Sequence, residues 1–579
     1  MLSVLIDAIR DWVLSLIAVI TPYDTMPAIE ELFELSNNKT FETKGFYESS
    51  DGNGGRYKIT TTPTRGSRKL TLNGNIRYLC YLNNGKANYI EVCKLGVRAY
   101  PSNLAVDFDA MTKQNSYATL NTTVLSEIYN NDVTEEHIPN YGATFKFPSG
   151  RFVFENTIRL SKMGYCLQGD SIPNVFNPDR LSASNNTSGT ELIFPFLENN
   201  TTAVLADSGS ITDVTVMGNA QKYNITIDRN KTITAPNEIV AETIADDNGT
   251  PYHTYGIKTT NQGVIRNVWV SNFYHGLSCS EGSADNRVLL DIYVTRCHYG
   301  VSIGGDIKCK GIYEWGVHTA LKMERALASV MQLRADSCIY GIEMNGVTGA
   351  TLTDVDIDFC TKQLIVTSGN TVRNRFESIH GRCCTLKTYP KNESAPDIRD
   401  ISDKTGYGLI RVNDGYFRDN FISVTHHGQS PIDGNENYRT PRILLTYDNT
   451  TAIVDKNVFE VPSIVIASSE DCLKNIQTVQ SFTCKIVTPN DTYFLDGAKV
   501  ITDLKKVATL PTASASYVNK QYIYTGNQTG LYKGGIYECQ ETLTDTYEWK
   551  LISVPIAAMK TVVADSADFA DFKSKIALL

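Results

Sequence analysis

A chain of 579 residues that is 42% hydrophobic and 10% aromatic is neither disordered nor short of core material. Its net charge of −9, with no run of Lys or Arg, argues against a nucleic-acid partner. Thirteen cysteines with no Cys-x-x-Cys pair indicate neither a disulfide framework nor a zinc site; free thiols imply folding in a reducing cytoplasm.

Residues 2–20 are apolar, but no basic segment precedes them and Asp7, Arg10 and Asp11 interrupt them. Neither a signal peptide nor stable membrane insertion is therefore expected. Leu2, Leu5, Ile9, Trp12, Leu16 and Val19 step by three and four, the spacing of a helical seam. The segment reads as a short helix that oligomerises or docks onto a larger assembly; a membrane-active helix and one packed on its own chain are the alternatives. The Asp51-Gly-Asn-Gly-Gly55 run predicts a tight bend between strands. No Gly-Lys-Ser/Thr closes it into a phosphate loop, and no cofactor is implied. Next come a strand, a Pro-x-Gly turn and a second strand in Gly142-Ala-Thr-Phe-Lys-Phe-Pro-Ser-Gly-Arg-Phe-Val-Phe154, then Thr157–Leu160 and Leu167-Gln-Gly169.

From Arg266 to Val366 the chain repeats. Gly276, Gly300, Ala320, Gly341 and Gln363 serve as anchors, 24, 20, 21 and 22 residues apart. An aliphatic residue follows each one: Leu277, Val301, Leu321, Ile342 and Leu364. Val268, Ile292, Ile312, Leu333 and Val355 stand eight before the anchors, and Phe273, Cys297, Val317, Cys338 and Cys360 three before. Alternation of apolar with polar positions is the period of a half-buried strand. Units this short cannot bury a face alone and must stack. No Leu ladder with a fixed Asn is present, so the pattern predicts a mainly β, right-handed parallel β-helix rather than a leucine-rich repeat. A weaker echo in Val372-Arg-Asn-Arg-Phe376, Phe417-Arg-Asp-Asn-Phe421 and Val454-Asp-Lys-Asn-Val458 extends the solenoid to about 468.

Outward positions carry the candidate chemistry. Trp269, Tyr293, Tyr313, Arg334 and Asp356 stand seven before the anchors; Ser271, Thr295, Trp315, Asp336 and Asp358 stand five before. Stacked coils would bring neighbours in a column about 4.8 Å apart. Aromatics flanked by a cation and acids suit a glycan groove, so Trp269, Tyr293, Tyr313, Trp315 and Arg334 are expected to bind substrate. Glycoside cleavage needs one carboxyl as acid and a second as base or nucleophile, at about 5–9.5 Å. Asp336 with Asp358 or Asp356 fits that need. Glu314 falls at an inward position; either the coil shifts register there or a carboxyl is buried with a raised pKa, suited to an acid. The alternative for all of these is an ordinary solvated surface. His426 and His427 lack an evident third metal ligand, so no metal site is expected.

The stretch Lys44–Ile59 and the Gly142–Gly169 segment resemble the β-helix entry of bacteriophage tailspike and tail-fibre proteins with a pectate-lyase-like fold. Leu95–Asp109 occupies, in degraded form, the place of that family's Gly-Asp-Gly segment, and the resemblance implies that a helix over about 105–130 follows it and caps the strand edges at the solenoid's open end. Strand-turn alternation over 510–550 and the seam Phe569, Phe572, Ile576, Leu579 resemble phage fibre ends. The resemblance implies a homotrimeric virion tail component, made in the bacterial cytoplasm, that meets other tail proteins and a bacterial surface polysaccharide. Its organisation would be an attachment helix (1–40), an entry and capping region (41–140), the β-helix (141–470), a connector (471–505) and a C-terminal β module with a final helix (506–579). Binding host glycan, with or without depolymerising it as a glycoside hydrolase or polysaccharide lyase, is the expected function. A non-enzymatic adhesive fibre and a secreted lyase are the alternatives.

Overall fold

Period-two alternation in the sequence becomes a parallel β-helix whose two main sheets have 15 and 14 strands among the described residues. The computed structural model describes residues 21–553 except 27–39, 83–88, 101–115, 130–141, 173–188, 219–252, 280–286, 384–407, 425–442, 467–475 and further gaps of at most four residues. The N-terminal and C-terminal seams, His426–His427 and the 219–252 insertion lie outside the described residues.

Each repeat coil contributes one long strand to the first sheet and one shorter strand to the second. The long strands Val264–Ser271, Arg287–Thr295, Ile307–Trp315, Ser329–Asp336 and Thr351–Cys360 pair in parallel, as do His275–Cys279, Tyr299–Gly305, Thr319–Ala326, Tyr340–Asn345 and Gln363–Ser368. Val268, Ile292, Ile312, Leu333 and Val355 form one inward column, each 0% exposed. Cys297 and Cys338 are likewise fully buried, as small hydrophobes in the shared core. The side chain of Cys360 lies outside the described residues.

One anchor needs correction. Tyr340 pairs with Gln363 and Ile342 with Ile365, so Leu364, not Gln363, is the equivalent of Gly341. That coil is one residue longer than the spacing suggested, and Ile365 takes the inward place.

Every long strand bends once, at a residue with left-handed backbone. Asp213, Asn267, Asp291, Gly311, Gln332, Asp354 and Ser378 have φ of 51–74° and stack in register along seven coils. Asn and Asp tolerate this conformation better than other non-glycine residues, which explains four of the seven. The bend resets alternation, so that Ile265 and Val268, three apart, both point inward.

Anchor glycines serve a different need: room. A Cβ on Gly276 would lie 2.6 Å from Val294 Cγ1, and one on Gly300 2.4–2.6 Å from the Glu314 carboxyl. The next coil carries Ala320 and Ala335 at the equivalent positions. Gly300→Ala is therefore expected to cost about 1–3 kcal/mol by overpacking. Adding Glu314→Ala should recover part of that loss, read as a non-additive double-mutant cycle in thermal melts. In the entry loop, too, close approach is the constraint, since a Cβ on Gly54 would meet Lys44 O at 2.1 Å. The Asp51 carboxylate gathers that loop by accepting N–H bonds from Phe46, Tyr47, Glu48 and Asn53.

The echo at 372–458 is a ladder of buried asparagines. Arg373, Asp419 and Lys456 take φ of 51–57°, and each is followed by an Asn no more than 1% exposed. Asn374 Nδ2 donates to Asn420 Oδ1 (3.1 Å), and Asn420 Nδ2 donates to Asn457 Oδ1 (2.9 Å). Side-chain amides thus satisfy buried backbone groups that the corner leaves unpaired.

The two ends of the stack differ. Helix α1 (Ser116–Tyr129) puts Val124, Leu125 and Ile128 on the first coils, and its Asn121 Nδ2 donates to Arg98 O (2.9 Å) and Val153 O (3.1 Å). Parallel pairing runs past residue 470, through Ile476–Thr478 and Thr483–Val487. It stops where Thr492–Asp496 and Lys499–Thr502 add antiparallel. Strands Lys505–Val507, Gln521–Tyr524, Ile536–Leu543 and Thr546–Ser553 then form a separate four-stranded sheet.

Candidate functional site

Beyond each bend the outer face of the first sheet presents two side-chain columns. One runs Arg151, Glu191, Thr215, Trp269, Tyr293, Tyr313, Arg334, Asp356, His380. Beside it run Val153, Ile193, Met217, Ser271, Thr295, Trp315 and Asp336. The sequence-predicted residues Tyr293, Tyr313, Arg334, Asp356, Trp315 and Asp336 therefore do share one face.

Its N-terminal half is sealed. Trp269, expected to be exposed, is 2% exposed, and its Nε1–H donates to Thr295 Oγ1 (2.9 Å), which in turn donates to Ser271 Oγ (2.9 Å). Below it Arg151 and Glu191 form a buried ion pair at 3.2 Å, and Val153, Ile193 and Met217 pack with Ala118 of α1. Trp269 is thus a packing residue with a satisfied N–H, not a sugar contact.

Toward the C-terminus the face opens. Tyr293 and Tyr313 stack at 4.9 Å and 15°, so each ring covers a face of the other. Arg334 Nη2 pairs with Asp354 Oδ1 at 2.9 Å and its Nη1 lies 3.9 Å from Asp356 Oδ2; all three side chains are 39–46% exposed. Trp315 and Asp336 are half-buried. Backbone register makes Asp336 and Asp358 direct neighbours on adjacent coils; the Asp358 side chain lies outside the described residues. Asp354 and His380 escaped the sequence reading. Asp354 occupies the bend position, and counting one coil of 24 residues from Asp356 would have found His380.

Glu314 keeps register with Val294 and Ala335, which settles the open alternative in favour of burial. It is 5% exposed, and neither carboxyl oxygen has a hydrogen-bond partner of ordinary geometry. Burial pushes its pKa well above the ordinary carboxylate range, with the Val301 N–H pulling the other way. Its carboxyl lies against Gly300 inside the solenoid, on the opposite side of the sheet from the stripe.

A second constellation was missed altogether. The two positions before each anchor hold Tyr274-His275, His298-Tyr299, His318-Thr319 and Tyr340, and one coil earlier Tyr255 with His253 close by. Tyr255, His275 and Tyr299 stack at 4.3 and 5.1 Å, within 5–19° of parallel. Tyr274, His298 and His318 stack beside them at 4.5 and 4.1 Å. Lys258 and Lys322 extend over Tyr255 and Tyr299, and Lys322 also pairs with Glu324 at 2.8 Å.

No protein-family model matches the chain, nor does any curated protein. Among solved structures it is similar to the enzymatically active domain of tailspike protein 2 of bacteriophage CBA120, with 10% identity and a TM-score of 0.43 over 76% of this chain. The chain spans 56% of that protein's length. It is also similar to tailspike gp49 of the Acinetobacter baumannii bacteriophage Fri1, a capsular polysaccharide depolymerase (10%, TM-score 0.31, 92% of each chain). A third likeness is to DFA-IIIase of Arthrobacter chlorophenolicus A6 without its lid (12%, TM-score 0.37, 68% of this chain and 94% of the other). No helix of the described residues is long and apolar enough to cross a membrane.

Proposed function

We propose that this chain is a virion tail protein, assembled as a homotrimer beside other tail proteins, that binds a bacterial surface polysaccharide along the open half of the stripe and cleaves it. The observation that carries this reading is the register itself. It lines up Tyr293, Tyr313, Arg334 and Asp356 beside Thr295, Trp315 and Asp336 on one outward face, with Asp358 next to Asp336 in backbone register. Trp315 supplies apolar area with a polar N–H, suited to a sugar ring's mixed surface. Arg334, already shared between two carboxylates, is a fixed donor for hydroxyls or acidic groups. Asp336 and Asp358, on adjacent coils, are the pair proposed to act as acid and base. The Arg334 ion pairs also favour the second reading, a purely adhesive fibre, because they tie Asp356 to a structural role.

Mixing the full chain with capsule or cell-wall glycans of candidate hosts separates the readings. Trp315→Ala is expected to weaken glycan binding about tenfold or more, as loss of an aromatic anchor does. Asp336→Asn and Asp358→Asn should retain binding and lose the release of new reducing ends or unsaturated products. Binding without release by the wild type selects the adhesive fibre; binding to no host glycan overturns the proposal.

A further inference from the structure

The paired ring columns stand around the corner from the open stripe: His298 is three residues from Thr295, His318 three from Trp315, and Tyr340 four from Asp336. They cross five coils, with His253 edge-on to Tyr274 (4.2 Å, 68°) at one end and His318 tilted against Tyr340 (5.3 Å, 60°) at the other. His298 and His318, at 4.1 Å and 16°, stand too close to share two positive charges comfortably. Nδ1 of His275 and of His298 is buried and has no hydrogen-bond partner, so a proton added there finds no acceptor.

Charged groups facing the columns add to the conflict. Lys258 and Lys322 lie 4.9 and 4.7 Å from Tyr ring centroids within the stack, and Arg296 occupies the adjoining corner. Among the described residues the acids on this face are Glu324, committed to Lys322, and Glu343, which is opposite Lys322 in backbone register. We infer that the double ring stack is an acid-sensitive clasp, closed while its imidazoles are neutral and parted when they are protonated, that sets the geometry of the corner beside Trp315 and Asp336. Its bearing on glycan contact rests on the function proposed above; the clasp itself does not.

Burial first, then the neighbouring His253 and the lysines, pushes His275 down to about 3. Burial first, then His318 and the other imidazoles, pushes His298 down to about 2. A depressed histidine contributes stability that is present above its unfolded value of 6.5 and lost as the pH falls toward the folded value. Each such ring lowers the folded-to-unfolded ratio about tenfold per pH unit below 6.5.

Thermal unfolding of the full chain at pH 6.5 and 4.5 reads this loss, with His298→Phe keeping a ring in the stack that cannot titrate. The variant is expected to recover about a hundredfold of the ratio that the wild type loses over that interval. Equal losses in both proteins overturn the clasp. If His298→Phe does not fold, C2–H exchange of the wild-type histidines decides by mass spectrometry. Exchange that places His298 several units below 6.5 supports the clasp, and titration near 6.5 overturns it. Glycan binding at pH 7.5 is scored separately, so a chain that binds no glycan but shows the depressed His298 loses only the proposed function.

Discussion

Replacing Glu314 with Gln is expected to remove one contribution to stability that the wild-type chain loses as the pH rises above about 4.5, the ordinary glutamate value. The sign depends on which state holds the proton. Folded, the carboxyl lies sealed among Val294, Ala335 and Gly300, and burial raises its pKa; unfolded, it ionises normally. A raised carboxyl contributes fully below the unfolded value and loses that contribution as the pH climbs toward the folded one. Within that window the cost grows by about 1.4 kcal/mol per pH unit. Denaturant midpoints from pH 4.5 to 8 measure it. Wild type and Glu314→Gln should agree at the acid end and diverge steadily; parallel profiles would show that the carboxyl is not sealed. With the histidine clasp acting in the opposite direction below pH 6.5, the repeat coils are expected to be most stable in a narrow, mildly acidic range.

The second large effect belongs to Asn420. Its Nδ2 donates to Asn457 Oδ1 (2.9 Å) and Thr371 O (3.2 Å), and its Oδ1 accepts from Asn374 N (2.9 Å) and Nδ2 (3.1 Å). Asn420→Ala removes all four and leaves buried backbone groups unpaired, at about 1–3 kcal/mol for each group stranded. Asn420→Asp keeps the acceptor and loses the donor, burying a carboxyl beside Asn457 Oδ1. We expect both to melt well below the wild type, with Asn420→Ala destabilised by at least about 3 kcal/mol. A surface substitution such as Glu460→Gln should change little, and a small loss at Asn420 would mean that water can replace the ladder.

Sequence alone made the solenoid legible because burial repeats at fixed offsets: Val268 and its successors, and Cys297 with Cys338, occupy the predicted inward columns. It failed where a coil changes length by one residue, as at Gln363, since nothing local marks an inserted position. It read the Arg-Asn and Lys-Asn echoes as coils without a cause; the cause is a left-handed corner followed by a stacked amide. Trp269 was misplaced because outward and exposed are different properties. Alternation gives the first, but what covers a face is a tertiary matter, and Trp269 shares its column with the buried Glu191 and Thr215. The His and Tyr residues before each anchor stand in neither the apolar nor the charged columns. Within one coil they look like ordinary turn residues, and ring stacking needs two coils to become visible.

The covered start of the solenoid has a consequence for assembly. A stack of parallel strands is a template without a natural length, and a bare terminal coil would recruit the first coil of another molecule into an open-ended filament. Here α1 covers the first coils, and at the far end the hairpin Thr492–Asp496 and Lys499–Thr502 replaces parallel with antiparallel pairing in the second sheet. Covering the first coils removes that template at the start of the stack. Along its sides the aromatic, charged and imidazole columns are displayed.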